Sequence, residues 1–235
     1  EKLTATFGVR CCPAIDTAAL NCEVLVLAVK PQQMREALAP LSAQFKGQLQ
    51  NQLIISIAAG LRLADISRWL GGYRQLVRCM PNTPALIGAG ITGLYADPSV
   101  SREGHDTAEK ILRAVGSTLW LSDETQMDAV TAISGSGPAY VFYFIEALQK
   151  AGLDLGLDAA AARQLAIETF VGAARLAEQS KDDVAVLRQR VTSKGGTTEA
   201  ALNSFAASDI AAAIALGAQA AATRGRELGE EMGKD

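Results

Sequence analysis

One loop and three strand ends hold the residues best suited to chemistry. The loop is Thr192, Ser193, Lys194, Gly195, Gly196, Thr197 and Thr198, leading into a helix that starts near Glu199. Two glycines let the backbone approach a ligand closely, and N–H groups and hydroxyls at a helix start form a carboxylate cradle. The same residues read equally well as a helix cap, with a hydroxyl of Thr197 or Thr198 as acceptor and glycine for the turn. At the strand ends, residues 24–29 run into Lys30 and Pro31; residues 53–57 into Ala58, Ala59 and Gly60; residues 76–80 into Pro81, Asn82, Thr83 and Pro84. Turn residues close strands everywhere, so none of the three is diagnostic by itself. Together on one edge of a parallel sheet they argue for a nucleotide crevice, because such sheets bind ligands beyond the carboxyl ends of their strands. No Ser/His/Asp set or carboxylate pair suits acid–base work, which points to chemistry performed by a cofactor. His105 is the only histidine and lies among Arg102, Glu103, Asp106 and Glu109. It reads as an exposed residue at a helix start, with no partners for a metal.

The elements that must position these residues change character along the chain. Residues 24–29 and 53–57 are continuous apolar runs, as strands buried on both faces tend to be. Residues 76–80, 91–95 and 118–121 are further strands, with a helix over about 101–115 before the last. Met34, Leu38, Leu41 and Phe45 recur at helical spacing, and Pro40 inside that run is expected to kink or split the helix. Strands alternating with helices at these lengths predict an α/β Rossmann-like domain over residues 1–122. Residues 123–235 read as all-α. A helix over about 138–151 opens after the flexible tetrad Ser134, Gly135, Ser136 and Gly137; Asp158 caps a helix reaching about Ser180; Ser208 caps another reaching about Leu228. Alanine dominates that last stretch, including Ala206, Ala207, Ala211, Ala212, Ala213, Ala215, Ala218 and Ala220. A helix so small and apolar all round packs on several neighbours, either within the chain or from a second subunit.

Composition narrows the function classes. With 235 residues the chain is long enough for two domains, and 49% hydrophobic with 20% charged residues is a globular composition. The net charge of −3, without a cluster of Lys and Arg, argues against nucleic acid as a partner. No apolar run has the length of a membrane span, and Glu1, Lys2, Leu3 and Thr4 do not read as a signal peptide, so a cytoplasmic protein is expected. Four irregularly placed cysteines read as reduced thiols, Cys22 and Cys79 as small buried hydrophobes.

Four motifs carry a family likeness: Ala28-Val29-Lys30-Pro31, Met80-Pro81-Asn82-Thr83-Pro84, Ser134-Gly135-Ser136-Gly137-Pro138-Ala139-Tyr140 and Ser193-Lys194-Gly195-Gly196-Thr197-Thr198. In order and spacing the chain resembles the pyrroline-5-carboxylate reductases. The resemblance implies that Ala28, Val29, Lys30, Pro31, Ile57, Ala58, Ala59 and Asn82 line the cofactor site for NADPH or NADH. It implies that Ser193, Gly195, Gly196, Thr197 and Thr198 bind 1-pyrroline-5-carboxylate, with Gly195, Gly196 and Thr197 on the carboxylate and the Thr198 hydroxyl close to the ring nitrogen. The implied reaction is hydride transfer from the reduced nicotinamide to the C=N carbon, giving L-proline. Ser134, Gly135, Ser136 and Gly137 are expected to shape the floor of the site. Homodimerisation or higher assembly through interlocking helical domains is also implied.

The sequence departs from the family in placing Lys194 where proline is usual and Ile15 where some members have an asparagine near the ribose. The family's opening strand, glycine-rich turn, helix and second strand are not seen, so the chain from Glu1 is expected to bind cofactor poorly and to turn over slowly or not at all, with its sheet half partly mobile or leaning on a neighbour. The helical half, by contrast, is expected to have its own core. Two rival readings are a hydroxyacid dehydrogenase with Lys194 as general acid, and a non-catalytic oligomerisation module.

Overall fold

Five strands form one sheet in the order β1-β2-β3-β4-β5: β1 Val24–Leu27, β2 Leu53–Ser56, β3 Leu76–Met80, β4 Gly90–Ala96 and β5 Gly116–Trp120. β1, β2 and β3 run parallel, β4 is antiparallel to β3, and β5 is parallel to β4. The computed structural model describes residues 2–13, 15, 21–44, 49 and 51–234. By compactness the chain divides into residues 1–135 with 221–235, called here the sheet unit, and Ser136–Ala220, the helical unit.

The sheet is covered on both faces. Neighbouring residues of one strand point opposite ways, and accordingly Ile54 belongs to one buried cluster and Ile55 to another. The first cluster joins Leu27, Ile54 and Leu76 to Met34, Leu38 and Leu41 of α2 (Met34–Gln44) and to Leu63 and Ile66 of α3 (Leu63–Trp69). The second joins Leu53, Ile55, Val77, Cys79 and Leu94 to Ala108 and Leu112 of α4 (Arg102–Arg113). This is the doubly wound arrangement expected. α1 (Lys2–Phe7) lies ahead of it and was not foreseen.

Two local expectations need correcting. α2 runs through Pro40 unbroken; burial of Met34, Leu38 and Leu41 on one face outweighs the one backbone hydrogen bond that proline removes. Phe45 lies outside the described residues. His105 is half-buried rather than exposed: its ring stacks on Trp120 with centroids 4.6 Å apart, and Nδ1 lies 2.9 Å from the Ser101 carbonyl. Ser101 itself caps α4, its hydroxyl accepting from Gly104 N at 3.2 Å.

After β5, α5 (Gln126–Val130) continues into a π-helical turn, Thr131–Gly135, and α6 begins at Gly137. Of the tetrad expected to be flexible, Ser134 and Gly135 belong to the π-turn and Gly137 to α6, with Ser136 a bend between them, and Ser134 Oγ donates to the Val130 carbonyl at 3.0 Å. α6 (Gly137–Asp154) packs on α7 (Ala159–Gln179), whose cap is Asp158 as expected, accepting from Ala161 N at 2.8 Å. α8 (Val184–Arg190), α9 (Thr197–Ala207) and α10 (Ile210–Met232) follow. Ser208 does not open the last helix. It closes α9, and Asp209 at φ +52 makes the bend, so Ala206 and Ala207 belong to α9.

The helical unit has almost no core of its own, contrary to expectation. Among its residues only Ala162 and Ala166 are buried hydrophobics, while Phe142, Tyr143, Leu155, Phe205 and Leu216 are exposed. No single helix among the described residues is long and apolar enough to cross a membrane; α9 and α10 pass that test only jointly, as a bent pair.

Candidate active site

Parallel register brings the three strand ends to one edge. Leu27 pairs with Ser56 and Ser56 with Arg78, and Ile57 N donates to the Leu27 carbonyl at 3.2 Å. The segments that follow β1, β2 and β3 therefore leave side by side. Ala28, Val29 and Lys30 are exposed, and Pro31 opens a short 3-10 turn, Pro31–Gln33, at a position where its missing N–H costs nothing. After β2, Ala58 turns its methyl into the first core cluster and gives its N–H to Ser56 Oγ at 3.3 Å. Ala59 and Gly60 are half-buried. From Ala58 to Gly60 no side chain exceeds a methyl, and Ala59 and Gly60 leave part of this strip accessible at the sheet edge. Ile57 packs against the second cluster and Ile15 against the first, which leaves Ile15 a core role.

Asn82 follows β3 and its amide is already engaged on both sides. Oδ1 accepts from Ile91 N at 3.0 Å and Nδ2 donates to the Ser134 carbonyl at 3.1 Å. It thereby ties the end of β3 to β4 and to the π-helical turn. A π-turn displaces the carbonyls of one helical turn, and here Ser134 presents one of them to Asn82.

A half-buried charge pair, missed in the sequence reading, braces the same edge. Arg78, 4% exposed in the middle of β3, donates from Nη1 to Glu124 Oε1 at 3.0 Å. That oxygen also accepts from Leu63 N, the first residue of α3, at 2.8 Å. The side chain of Arg62 makes no cap there, so Glu124 satisfies one orphan donor of α3 from a distant part of the chain and puts a negative charge at the positive helix end. Beside it, burial and the charges of Glu124, Asp123 and Asp97 push the Tyr95 phenol up, away from ionisation. The visible signal was an arginine inside the otherwise apolar run of β3.

The glycine loop lies in the helical unit. Gly195 stands at φ +74, in the left-handed region that glycine tolerates best. Gly196 occupies the cap position of α9, and no side chain caps it. Of the two readings left open above, the hydroxyl cap is thus not realised. Thr197 is exposed and Thr198 half-buried, and the N–H groups of the first turn have no partner four residues back. Gly196 N donates to the Ser193 carbonyl at 3.0 Å, and Gly195 N to Glu199 Oε2 at 2.7 Å. The loop already binds a carboxylate through its backbone, that of Glu199 three residues after the cap, in the manner of a capping box. Lys194 is exposed beside it. The residues expected at the cofactor are gathered in the sheet unit and those expected at the substrate in the helical unit.

A doubly wound sheet with an open carboxyl edge, followed by a helical region bearing a carboxylate-binding loop, defines a nucleotide-dependent oxidoreductase class. The chain matches the family model described as NADP oxidoreductase coenzyme F420-dependent over residues 1–60 and that of pyrroline-5-carboxylate reductase dimerisation over residues 124–228. It is 45% identical over 233 residues to the pyrroline-5-carboxylate reductase of Pseudomonas aeruginosa, covering 99% of this chain and 84% of that one. The enzyme of that name from Haemophilus influenzae is 44% identical, over 90% of this chain and 77% of the relative. A solved pyrroline-5-carboxylate reductase from Coxiella burnetii superposes with a TM-score of 0.89 at 41% identity, over 96% of this chain and 83% of that one. A Plasmodium falciparum pyrroline carboxylate reductase, solved with NADP bound, gives 0.77 at 31%, over 89% and 81%. The chain belongs to the pyrroline-5-carboxylate reductase family.

Proposed function

We propose that this chain reduces 1-pyrroline-5-carboxylate to L-proline with NADPH or NADH, the last step of proline formation, as a homodimer or larger homo-oligomer in the cytoplasm. In this reading residues 1–122 hold the cofactor, and residues 123–235 hold the substrate and the second copy. Ala28, Val29, Lys30, Pro31, Ile57, Ala58 and Ala59 hold the nicotinamide and ribose, with Asn82 fixing the crevice wall. Bound there, the reduced cofactor supplies the hydride.

The chain's own residues then have two tasks, orientation and one hydrogen bond. Gly195 N, Gly196 N and the Thr197 hydroxyl take the substrate carboxylate, and Ser193 shapes their turn. The single observation that carries this assignment is the 2.7 Å hydrogen bond from Gly195 N to a carboxylate, that of Glu199. Substrate binding at these donors requires Glu199 to release Gly195 N and the Ser193 carbonyl to release Gly196 N. Thr198 offers its hydroxyl oxygen to the N–H of the protonated ring nitrogen, which stabilises the form of the C=N bond that most readily accepts a hydride. Ser134, Gly135, Ser136 and Gly137 supply the floor. The test is NADPH oxidation that depends on pyrroline-5-carboxylate and yields proline. Turnover with a 2- or 3-hydroxy acid and none with pyrroline-5-carboxylate overturns the assignment.

A further inference from the structure

The last turns of α10 close on the turn that follows β2. From Ala221 onward this helix belongs to the sheet unit, and its buried residues are Gly225 and Gly229. A Cβ placed on Gly229 stands 2.5 Å from the Gly60 carbonyl oxygen. A Cβ placed on Gly60 stands 3.0 Å from Met232 Cε and 3.4 Å from Gly229 N. The two backbones touch directly, and at neither position is there room for a methyl without movement. The contact is flanked by Arg62 Nη2 at 3.6 Å from Glu230 Oε1 and by Arg68 Nη2 donating to the Gly233 carbonyl. Met232 packs against the cluster that contains Ala58, Leu61 and Leu63. By contrast, a methyl at Gly217 of the same helix meets nothing within 4 Å.

The segment between β2 and α3 is fixed at its start by the Ile57 N to Leu27 carbonyl bond and at its end by Leu63 N on Glu124. Between these anchors, α10 is what presses on the backbone at Gly60. We infer that Gly229 is a positioning residue for the cofactor, setting through the Gly60 carbonyl the height of the Ala58 and Ala59 backbone at the crevice. This rests on the assignment of Ile57, Ala58 and Ala59 to the cofactor. A displacement of about 1 Å at such a wall costs a bound ring much of its alignment.

The test is NADPH titration by nicotinamide fluorescence in the absence of substrate, beside steady-state kinetics, on three variants, with circular dichroism to verify folding; Kd for NADPH is expected to move with its KM. Gly229→Ala drives a methyl towards the Gly60 carbonyl and is expected to raise KM for NADPH roughly 10-fold, leaving KM for pyrroline-5-carboxylate unchanged. Met232→Ala loosens the same contact without a clash and is expected to raise KM for NADPH by a smaller factor, which keeps the test decisive if Gly229→Ala fails to fold. Ala59→Glu probes the crevice directly by placing a carboxylate in it. If Ala59→Glu leaves KM for NADPH unchanged, the crevice assignment is wrong and the inference goes with it. If Ala59→Glu raises that KM while neither Gly229→Ala nor Met232→Ala does, the positioning role alone is overturned. Parallel rises in both KM values overturn it as well, because they mark a general structural defect.

Discussion

The two units of this chain use similar proportions of apolar residues to opposite ends. In the sheet unit Ile54, Ile55 and Val77 are fully buried between helices of the same chain. In the helical unit only two alanines are buried, while Phe142 is 65%, Tyr143 70% and Leu216 68% exposed. Buried apolar surface is worth about 25 cal/mol per Å², so the first unit draws its stability from within and the second has left most of its own unrealised. Contiguous exposed apolar surface of that kind marks a protein–protein interface, and the family's dimerisation model spans residues 124–228. The comparison teaches that hydrophobic composition alone does not locate a core; what counts is whether neighbours come from the same chain.

The contrast breaks most sharply at Leu216. Leu216→Asp is expected to place an unpaired charge in the subunit interface, weakening association by on the order of 100-fold or more and taking activity with it. Sedimentation on the variant and the parent checks this, and a parent that runs as a compact monomer ends the argument. The sheet unit, by the same logic, yields to a change inside one chain. Glu124→Ala leaves Arg78 buried without its partner and uncaps α3, for a loss of about 3 kcal/mol in urea unfolding with no change in oligomeric state. Thr198→Ala is expected to lose one hydrogen bond near the reacting nitrogen, about 1–3 kcal/mol. That corresponds to a fall in kcat/KM of roughly 5- to 150-fold with fold and assembly retained. An unchanged rate removes Thr198 from the mechanism.

Two smaller effects sharpen the sheet side. Burial pushes the Asp97 carboxyl up, but hydrogen bonds from Ser99 N, Arg74 and the Ser99 hydroxyl, with the charge of Arg74, outweigh it and hold the group below its usual value. The Glu109 carboxyl is held low by Trp120 Nε1 and by Arg113. A folded-state value below the unfolded one contributes stability that is full above the unfolded value and lost as pH falls through the folded one. Urea midpoints should therefore drop as pH is lowered below about 4, and Asp97→Asn should flatten that slope. Finally, burial pushes the Cys79 thiol up to about 12. A thiol reagent at about pH 8 is expected to label the exposed Cys11 and Cys12 and to spare Cys79 until the sheet unit opens.

The strands were legible because runs such as Leu53-Ile54-Ile55 and Leu76-Val77 are short, apolar and bounded by turn residues; all five fell within a few residues of their observed places. The side-chain cap at Asp158 was legible too. Ser208 misled because a serine before an apolar run looks the same whether it starts one helix or ends another. The strand ends and the glycine loop were visible as local sequence, but Glu124, Arg78 and Leu63 meet only through tertiary structure, and no spacing announces that. Gly229 was invisible for the same reason: its value lies in a carbonyl from a different part of the chain. The helical unit misled most, since a sequence does not say which copy of itself supplies the neighbours.

The contact between Gly60 and Gly229 also has a bearing on biosynthesis. A ribosome emits β2 and its turn long before it emits the end of α10, yet Met232 is among the residues packed on the first core cluster. The sheet can pair as it emerges, but the turn after β2 lacks its cover until translation has passed residue 232. Interactions so distant in sequence close late and slowly. A nascent chain stalled short of α10 should therefore show a paired sheet whose 57–63 segment is still open to proteases, with protection arriving only when α10 is released.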